Sequence, residues 1–277
     1  MKKHLLSLFA VLLSCSTWAY DVGIDGIYYI FNTDTKEAEV TYKDNNYNSY
    51  SGDVVIPSSV TYSDVTYSVV SIGGNAFADC TGLTSVVIPN SVTSIGRAAF
   101  ASCSGLPSVL IPNSVTSIGD CAFQDCTSLT SIDIPENVTS ISVSAFAKCS
   151  GLTSVMLPAS VTEIAGWAFA YCSNLTAVSC EAPTPPVCGS NCFYQVDQSA
   201  CSLYVPAESV DAYKSADQWK EFYNILPFKP TGIQVNGQSS TVNVQYFDFE
   251  GREIPAFQKG MNIVKYSDGT TKKLFKP

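Results

Sequence analysis

Phe77, Phe100, Phe123, Phe146 and Phe169 stand 23 residues apart without exception. Ala76, Ala99, Ala122, Ala145 and Ala168 keep the same step, each just before its phenylalanine. So do Ile72, Ile95, Ile118, Ile141 and Ile164, and Leu83, Leu106, Leu129, Leu152 and Leu175. Cys80, Cys103, Cys126, Cys149 and Cys172 complete the set, and Pro89, Pro112, Pro135 and Pro158 follow the same spacing. Pro57 begins the proline series, ahead of an insertion of nine residues. A unit this short cannot bury its own apolar face, so identical units must stack and share one core.

Within one unit, Leu83-Thr-Ser-Val86-Val-Ile88 ends on apolar residues two apart, a strand signal that Pro89 stops. Val92 and Ile95 then cross the core and Gly96 permits a turn. Arg97 to Cys103 is rich in alanine and reads as a short helical turn, with Ala99 and Phe100 inward. Stacking pairs the strands into a parallel sheet about 4.8 Å apart. Each recurring position then becomes a row, with phenylalanine on phenylalanine. Alanine is small where the backbone passes close.

The run Leu83-x-x-Val86-x-Ile88-Pro89-Asn-Ser-Val92-x-x-Ile95-Gly96-x-x-Ala99-Phe100-x-x-Cys103 resembles the BspA-like leucine-rich repeats of bacterial surface proteins. The resemblance covers roughly residues 53 to 206. It departs from the general leucine-rich pattern where an asparagine is usual, at Ser91, Ser114, Asn137 and Ser160. A hydroxyl satisfies a turn backbone group there with fewer hydrogen bonds. The resemblance implies an α+β repeat: a leucine-rich-repeat solenoid with a parallel β-sheet on one face. It also implies surface adhesion, by binding host matrix proteins or other cells.

A solenoid needs its open ends covered. Residues 20 to 52 hold a first cap, in which Ile27–Phe31 and Glu37–Tyr42 flank a turn and read as a β-hairpin. Phe193-Tyr194 and Leu203–Pro206 read as a degenerate last repeat. Residues 207 to 230 make a helical cap and linker. Its helix starts after Pro206, Val210, Tyr213, Trp219, Phe222 and Tyr223 form its buried side, and Pro227 and Pro230 mark the linker. Residues 231 to 277 form a small antiparallel β module with a hairpin signal at Asp268-Gly269. Phe247 to Arg252, followed by Lys259 to Val264, resembles the carboxy-terminal sorting modules of the type IX secretion route.

Residues 1 to 19 have the three-part layout of a secretory signal, with a cut before Tyr20. A competing reading is a lipobox at Leu12-Leu13-Ser14-Cys15, which would leave Cys15 as a lipid anchor. Both readings make the chain secreted or held at the cell surface. No run of 18 apolar residues exists to span a membrane. Cleavage also removes His4, the single histidine, which excludes Ser-His-Asp and Cys-His catalysis and every histidine metal site. Carboxylate chemistry survives that exclusion. Its best pair, Asp120 and Asp133, falls on different faces of one repeat, so no enzyme is expected, and no motif asks for a cofactor. The formal charge of −9 argues against nucleic acid, which demands a basic patch. A monomer is expected.

In an exported chain, cysteines invite a disulfide reading. Stacked thiols about 4.8 Å apart do not suit a bridge, which needs Cβ atoms near about 3.8 Å, so the five recurring cysteines read as buried thiols. Cys180, Cys188, Cys192 and Cys201 cluster irregularly at the last cap, where one or two disulfides are expected, free thiols being the alternative. No Cys-x-x-Cys pair supports zinc there.

Two outward rows can be read on the strand. One is Ser85, Ser108, Ser131, Ser154 and Ala177; the other is Val87, Leu110, Asp133, Met156 and Ser179, mostly apolar. An exposed apolar strip is a contact surface for a protein partner, unless neighbours shield it. Away from the strand, Trp167 and Tyr171 replace small or polar residues of the other repeats. Aromatic anchors of this kind serve protein interfaces and sugar contacts. A carbohydrate-binding accessory of an exported glycan-capture system is therefore the alternative, with Trp167 and Tyr171 as its residues.

Overall fold

The computed structural model describes residues 22–43 and 47–228, and the backbone of four strands between residues 245 and 276. The expected leader, with Cys15, lies outside the described residues. Each coil of the solenoid has three sides. The first carries the longer strands: Gly52–Val55, Leu83–Val87, Ser131–Asp133, Ser154–Leu157, Ala177–Cys180, Ser202–Val205 and Asn224–Pro227. The second carries two-residue strands such as Ser94–Ile95, Ser117–Ile118, Ser140–Ile141 and Glu163–Ile164. Pairing between coils is parallel on both, with register steps such as Asp133↔Met156↔Ser179↔Tyr204.

The third side corrects one expectation. Residues 97 to 103 and their equivalents form no helical turn; they form consecutive tight turns with a left-handed residue at each. One such row is Asn75, Ala98, Cys121, Ser144, Trp167 and Asn191, and the other is Asp79, Ser102, Asp125, Lys148, Tyr171 and Gln195. The reversal at each left-handed residue aims backbone N–H groups along the solenoid axis. They donate to the next coil, as Phe100 does to Ala122 at 2.7 Å and Phe123 to Ala145 at 2.8 Å. The alanine and phenylalanine of each unit do point inward, as the sequence predicts.

The core is a row of rings. Phe77, Phe100, Phe123, Phe146, Phe169 and Phe193 stack with centroids 4.9, 5.1, 5.4, 5.4 and 5.7 Å apart, their planes within 10°. Beside it runs the row of thiols, all free and buried. Cys103, Cys126, Cys149 and Cys172 each donate S–H to the phenylalanine carbonyl of the preceding coil, at 3.0 to 3.2 Å. A buried carbonyl thereby gains a partner that an alkyl side chain could not supply.

Two departures from the repeat split the sheets. Pro107 stands where Thr84, Thr130, Thr153 and Thr176 stand elsewhere. Thr153 and Thr176 each donate to the preceding coil, at 2.9 and 3.0 Å. Proline has no N–H for that bond. Only the bridge Val87↔Leu110 joins the strands across this point. On the second side, Ser142 takes the place of Gly73, Gly96 and Gly119. A Cβ at Gly96 or Gly119 would stand 2.6 or 2.7 Å from backbone nitrogen of the preceding coil. Ser142 accordingly shifts, and its hydroxyl, in place of the backbone N–H, bonds the Ile118 carbonyl at 2.5 Å. The short-strand ladder ends at Ser117–Ile118 and resumes at Ser140–Ile141.

The ends are closed by different means. At the first, Val22–Ile24, Ile27–Asn32 and Glu37–Thr41 pair antiparallel, containing the expected hairpin, and Glu37–Thr41 joins Val65–Ile72 in parallel. The nine-residue insertion is a second hairpin, Ser59–Tyr62 with Val65–Ile72, reversed at Ser63 and Asp64. Tyr50 sits 4.4 Å from Phe77 and ends the ring row; its hydroxyl donates to the Thr41 carbonyl. At the other end, a 3-10 turn Ala207–Ser209 leads into the helix Val210–Ser215, and Tyr213, Trp219 and Phe222 cover Phe193 and its surroundings. The Trp219 indole N–H donates to the Pro186 carbonyl at 2.8 Å.

Three expectations fail at this end. Tyr223 is 80% exposed, because it leads into the strand Asn224–Pro227, whose alternation buries Ile225 instead. Pro227 belongs to that last strand and not to a linker; as an edge residue it owes no ladder N–H. Cys180, Cys188, Cys192 and Cys201 are free thiols and form no disulfide. Each has other company: Cys180 lies 3.1 Å from the Tyr213 hydroxyl, Cys192 faces Gln218, and Cys201 faces the Ser202 carbonyl. The hydrogen bond that Cys188 donates to Cys192, then burial, pushes the Cys188 thiol up.

Residues Lys229–Pro277 form a second unit. It is a four-stranded antiparallel sheet in the order Glu253–Ile254, Gln245–Phe247, Gly260–Lys265, Thr271–Lys276.

Candidate binding surface

The strand side positions the first group of candidates. Alternation along each strand sends Val86, Ile132 and Val155 into the core and their neighbours outward. The parallel register then lines up one outward residue per coil. Val55 pairs with Val87, and Val87 with Leu110. These three are 65%, 54% and 63% exposed, so neighbouring side chains do not shield the strip. Sequence reasoning missed Val55, because the insertion before Pro89 hides its register; counting back from Pro57 recovers it. Asp133 continues the row as an exposed acid, then Met156 and Ser179, half-buried, and then Tyr204 and Leu226.

The neighbouring row is polar and tied locally. Thr84 and Ser85 both donate to one Asp53 carboxylate oxygen at 2.7 Å, and these bonds, Ser85 first, hold the carboxyl below its usual range. The strip is thus flanked by a carboxylate that stays ionised. Asp120 accepts a bond from the Val143 backbone N–H on the turn side, so it and Asp133 do not converge.

The turn side positions the second group. Trp167 and Tyr171 occupy the left-handed residues of one coil, at φ of 64° and 61°. Left-handed backbone costs a bulky residue on the order of 1 kcal/mol. Tyr194 of the next coil lies between them, its ring centroid 5.4 Å from each, tilted 65° to Trp167 and 80° to Tyr171. Sequence reasoning named the first two and missed Tyr194; aligning Phe193 with Phe169 places it at the alanine row of Ala147 and Ala170. Nearby, Lys148 and Asp125 form an exposed pair at 3.8 Å, an arrangement worth little in water.

Two clefts lie elsewhere, at the first cap. One of about 500 Å³ is lined by Phe31, Asn32, Glu37 and Ser71, and one of about 380 Å³ by Tyr29, Val55 and Val60. Among the described residues, no group of three or more Cys, Asp, Glu or His is placed to hold a metal ion. No helix among them is long and apolar enough to cross a membrane.

Residues 56–176 match the family described as BspA type leucine rich repeat region, in six copies. Residues 56–176 thus resemble BspA-type repeats. Among solved structures, the chain is similar to a leucine-rich repeat protein of T. pallidum, with 26% identity, a TM-score of 0.51, and coverage of 72% of this chain and 92% of that one. It is also similar to a leucine-rich repeat protein of Bacteroides ovatus, at 23% identity and a TM-score of 0.40, covering 75% of this chain and 76% of that one. A leucine rich cell surface protein of Faecalibacterium prausnitzii matches at 27% identity and a TM-score of 0.40, over 60% of this chain and 56% of that one. No curated protein matches the chain. The repeat match and the T. pallidum likeness agree with the leucine-rich-repeat solenoid described above.

Proposed function

We propose that this chain is exported and binds a protein partner, a host matrix protein or another cell's surface, through the strand side of its solenoid. The observation that carries this reading is the row Val55, Val87 and Leu110, more than half exposed on three consecutive coils. Water-facing aliphatic side chains on paired strands are removed from water only by an occupant, and their burial contributes about 25 cal/mol per Å². Asp133, further along the row, and ionised Asp53 at its flank add a polar rim that favours a partner with basic residues there. The leader at residues 1 to 19, with a cut before Tyr20 or lipidation at Cys15, supplies the export, and the carboxy-terminal unit serves as a sorting element.

The test is a solid-phase binding assay of the exported chain against a panel of extracellular-matrix proteins and intact bacteria. Binding is expected, and V87D, L110D and M156D together are expected to lower it at least tenfold while the thermal unfolding midpoint holds. A panel without binding, or a triple variant that binds like the parent, refutes the reading. Mass spectrometry of the mature amino terminus separates a free Tyr20 from a lipidated Cys15. Deleting residues 231 to 277 should leave the protein unexported if that unit is the sorting element.

A further inference from the structure

We propose that Trp167, Tyr171 and Tyr194 form a stacking platform for a neutral, pyranose-containing glycan, on a side of the solenoid distinct from the strand row. These three rings are 39%, 43% and 42% exposed although Tyr194 touches both of the others. The fold does not call for them. The position of Trp167 is Asn75, Ala98, Cys121, Ser144 and Asn191 in other coils, and that of Tyr171 is Asp79, Ser102, Asp125, Lys148 and Gln195. Backbone bonding at these positions is the same whatever the side chain: Lys148 donates to Ala170 at 2.7 Å, and Tyr171 to Tyr194 at 2.7 Å. Two large aromatics therefore sit in strained backbone where non-aromatic residues serve the stack equally well, which is a mark of function.

The surroundings select the ligand class. Residues 165–175 and 188–196 contain no Asp, Glu, Lys or Arg, and the charges that immediately precede Tyr171 in its row, Lys148 and Asp125, are paired with each other at 3.8 Å. The indole N–H of Trp167 and the hydroxyls of Tyr171 and Tyr194 bond to nothing among the described residues. Exposed Asn191 and Gln195 continue the rows of Trp167 and Tyr171 by one coil. Aromatic faces, free uncharged donors and flanking amides match a sugar ring, which offers an apolar C–H face edged by hydroxyls. An anionic or cationic ligand finds no counter-charge in these two segments. Tyr194 meets each neighbour edge-to-face at 5.4 Å and fills the space between them, so no open cage for a cation is left.

Tryptophan emission reads the site directly. Trp18 falls in the expected leader and Trp219 is wholly buried, so Trp167 is the reporter in the exported chain. Titration with a panel of neutral hexose and N-acetylhexosamine oligosaccharides should give a saturable blue shift with at least one member, and none with heparin oligosaccharide. Affinity electrophoresis on the matching polysaccharide should show at least a tenfold loss for W167S, which installs the residue of the preceding coil. Y194A provides a second variant that keeps the reporter and installs the alanine of Ala170, so one failure to fold does not void the test. V87D should bind the glycan like the parent. No saturable response to any neutral glycan, undiminished binding by both folded variants, or a preference for heparin overturns the proposal.

Discussion

On the strand side, Pro107 reduces the link between two coils to one bridge, and on the short-strand side Ser142 ends one ladder and starts another. On the turn side, three backbone bonds join each coil to the next from Asn75 to Gln195 without interruption. The ring row and the thiol row follow the turn side and are equally unbroken. Cohesion thus resides where the sequence repeats exactly, and the strand side is free to lose hydrogen bonds and vary its outward residues.

The difference can be broken first at a ring. Phe123→Ala removes the middle of the stack and should cost roughly 3–5 kcal/mol in urea unfolding, against well under about 1 kcal/mol for Tyr194→Ala on the surface. Equal costs would show that the inner row does not hold the coils together. The thiols and phenols sharpen the contrast by pH. Burial raises Tyr29 from 10.0 to about 12 and, with the Asp197 charge adding to it, Cys201 from 9.0 to about 12. The unfolded chain then releases these protons first and binds fewer than the native state, so stability falls as pH rises. The decline should begin near pH 9 and continue to about 12, measured as the thermal midpoint, with no counterpart between pH 6 and 8.

Smaller effects test the strand side. Pro107→Thr restores the missing donor to Thr84 and should stabilise by about 0.5–1.5 kcal/mol, the usual net worth of one hydrogen bond. A loss on that substitution would mean the interruption is itself built into the coil. Smallest is Val87→Asp, which should change stability by no more than about 0.5 kcal/mol, since the side chain already faces water. Hydrogen exchange at Thr130 and Thr153 should be unaffected by it.

The sequence legible in the repeat covered the coil, the inner rows, the parallel register and both caps, because burial imposes the same residue at every turn. Left-handed turns were not legible. Ala98, Ala101 and Ser102 suggest a helix by composition, whereas the bonds that Ala98 and Ser102 donate to the next coil decide the backbone, and those partners lie 22 residues away. The cap cysteines misled for a related reason, since spacing along the chain says nothing of which carbonyl or hydroxyl each thiol meets. Of the surface, Val87, Leu110 and Trp167 were found from the row they interrupt or continue. Val55 and Tyr194 were missed where an insertion or a one-residue slip shifts the count.

Every phenylalanine, thiol and turn in the array brings its own contacts to a neighbouring rung. Gain or loss of one 23-residue unit therefore leaves both end pieces fitting as before, while the strand row and the turn row each grow or shrink by one place. A gene encoding this chain can adjust the reach of its outer faces by duplication alone, with no redesign of the interior.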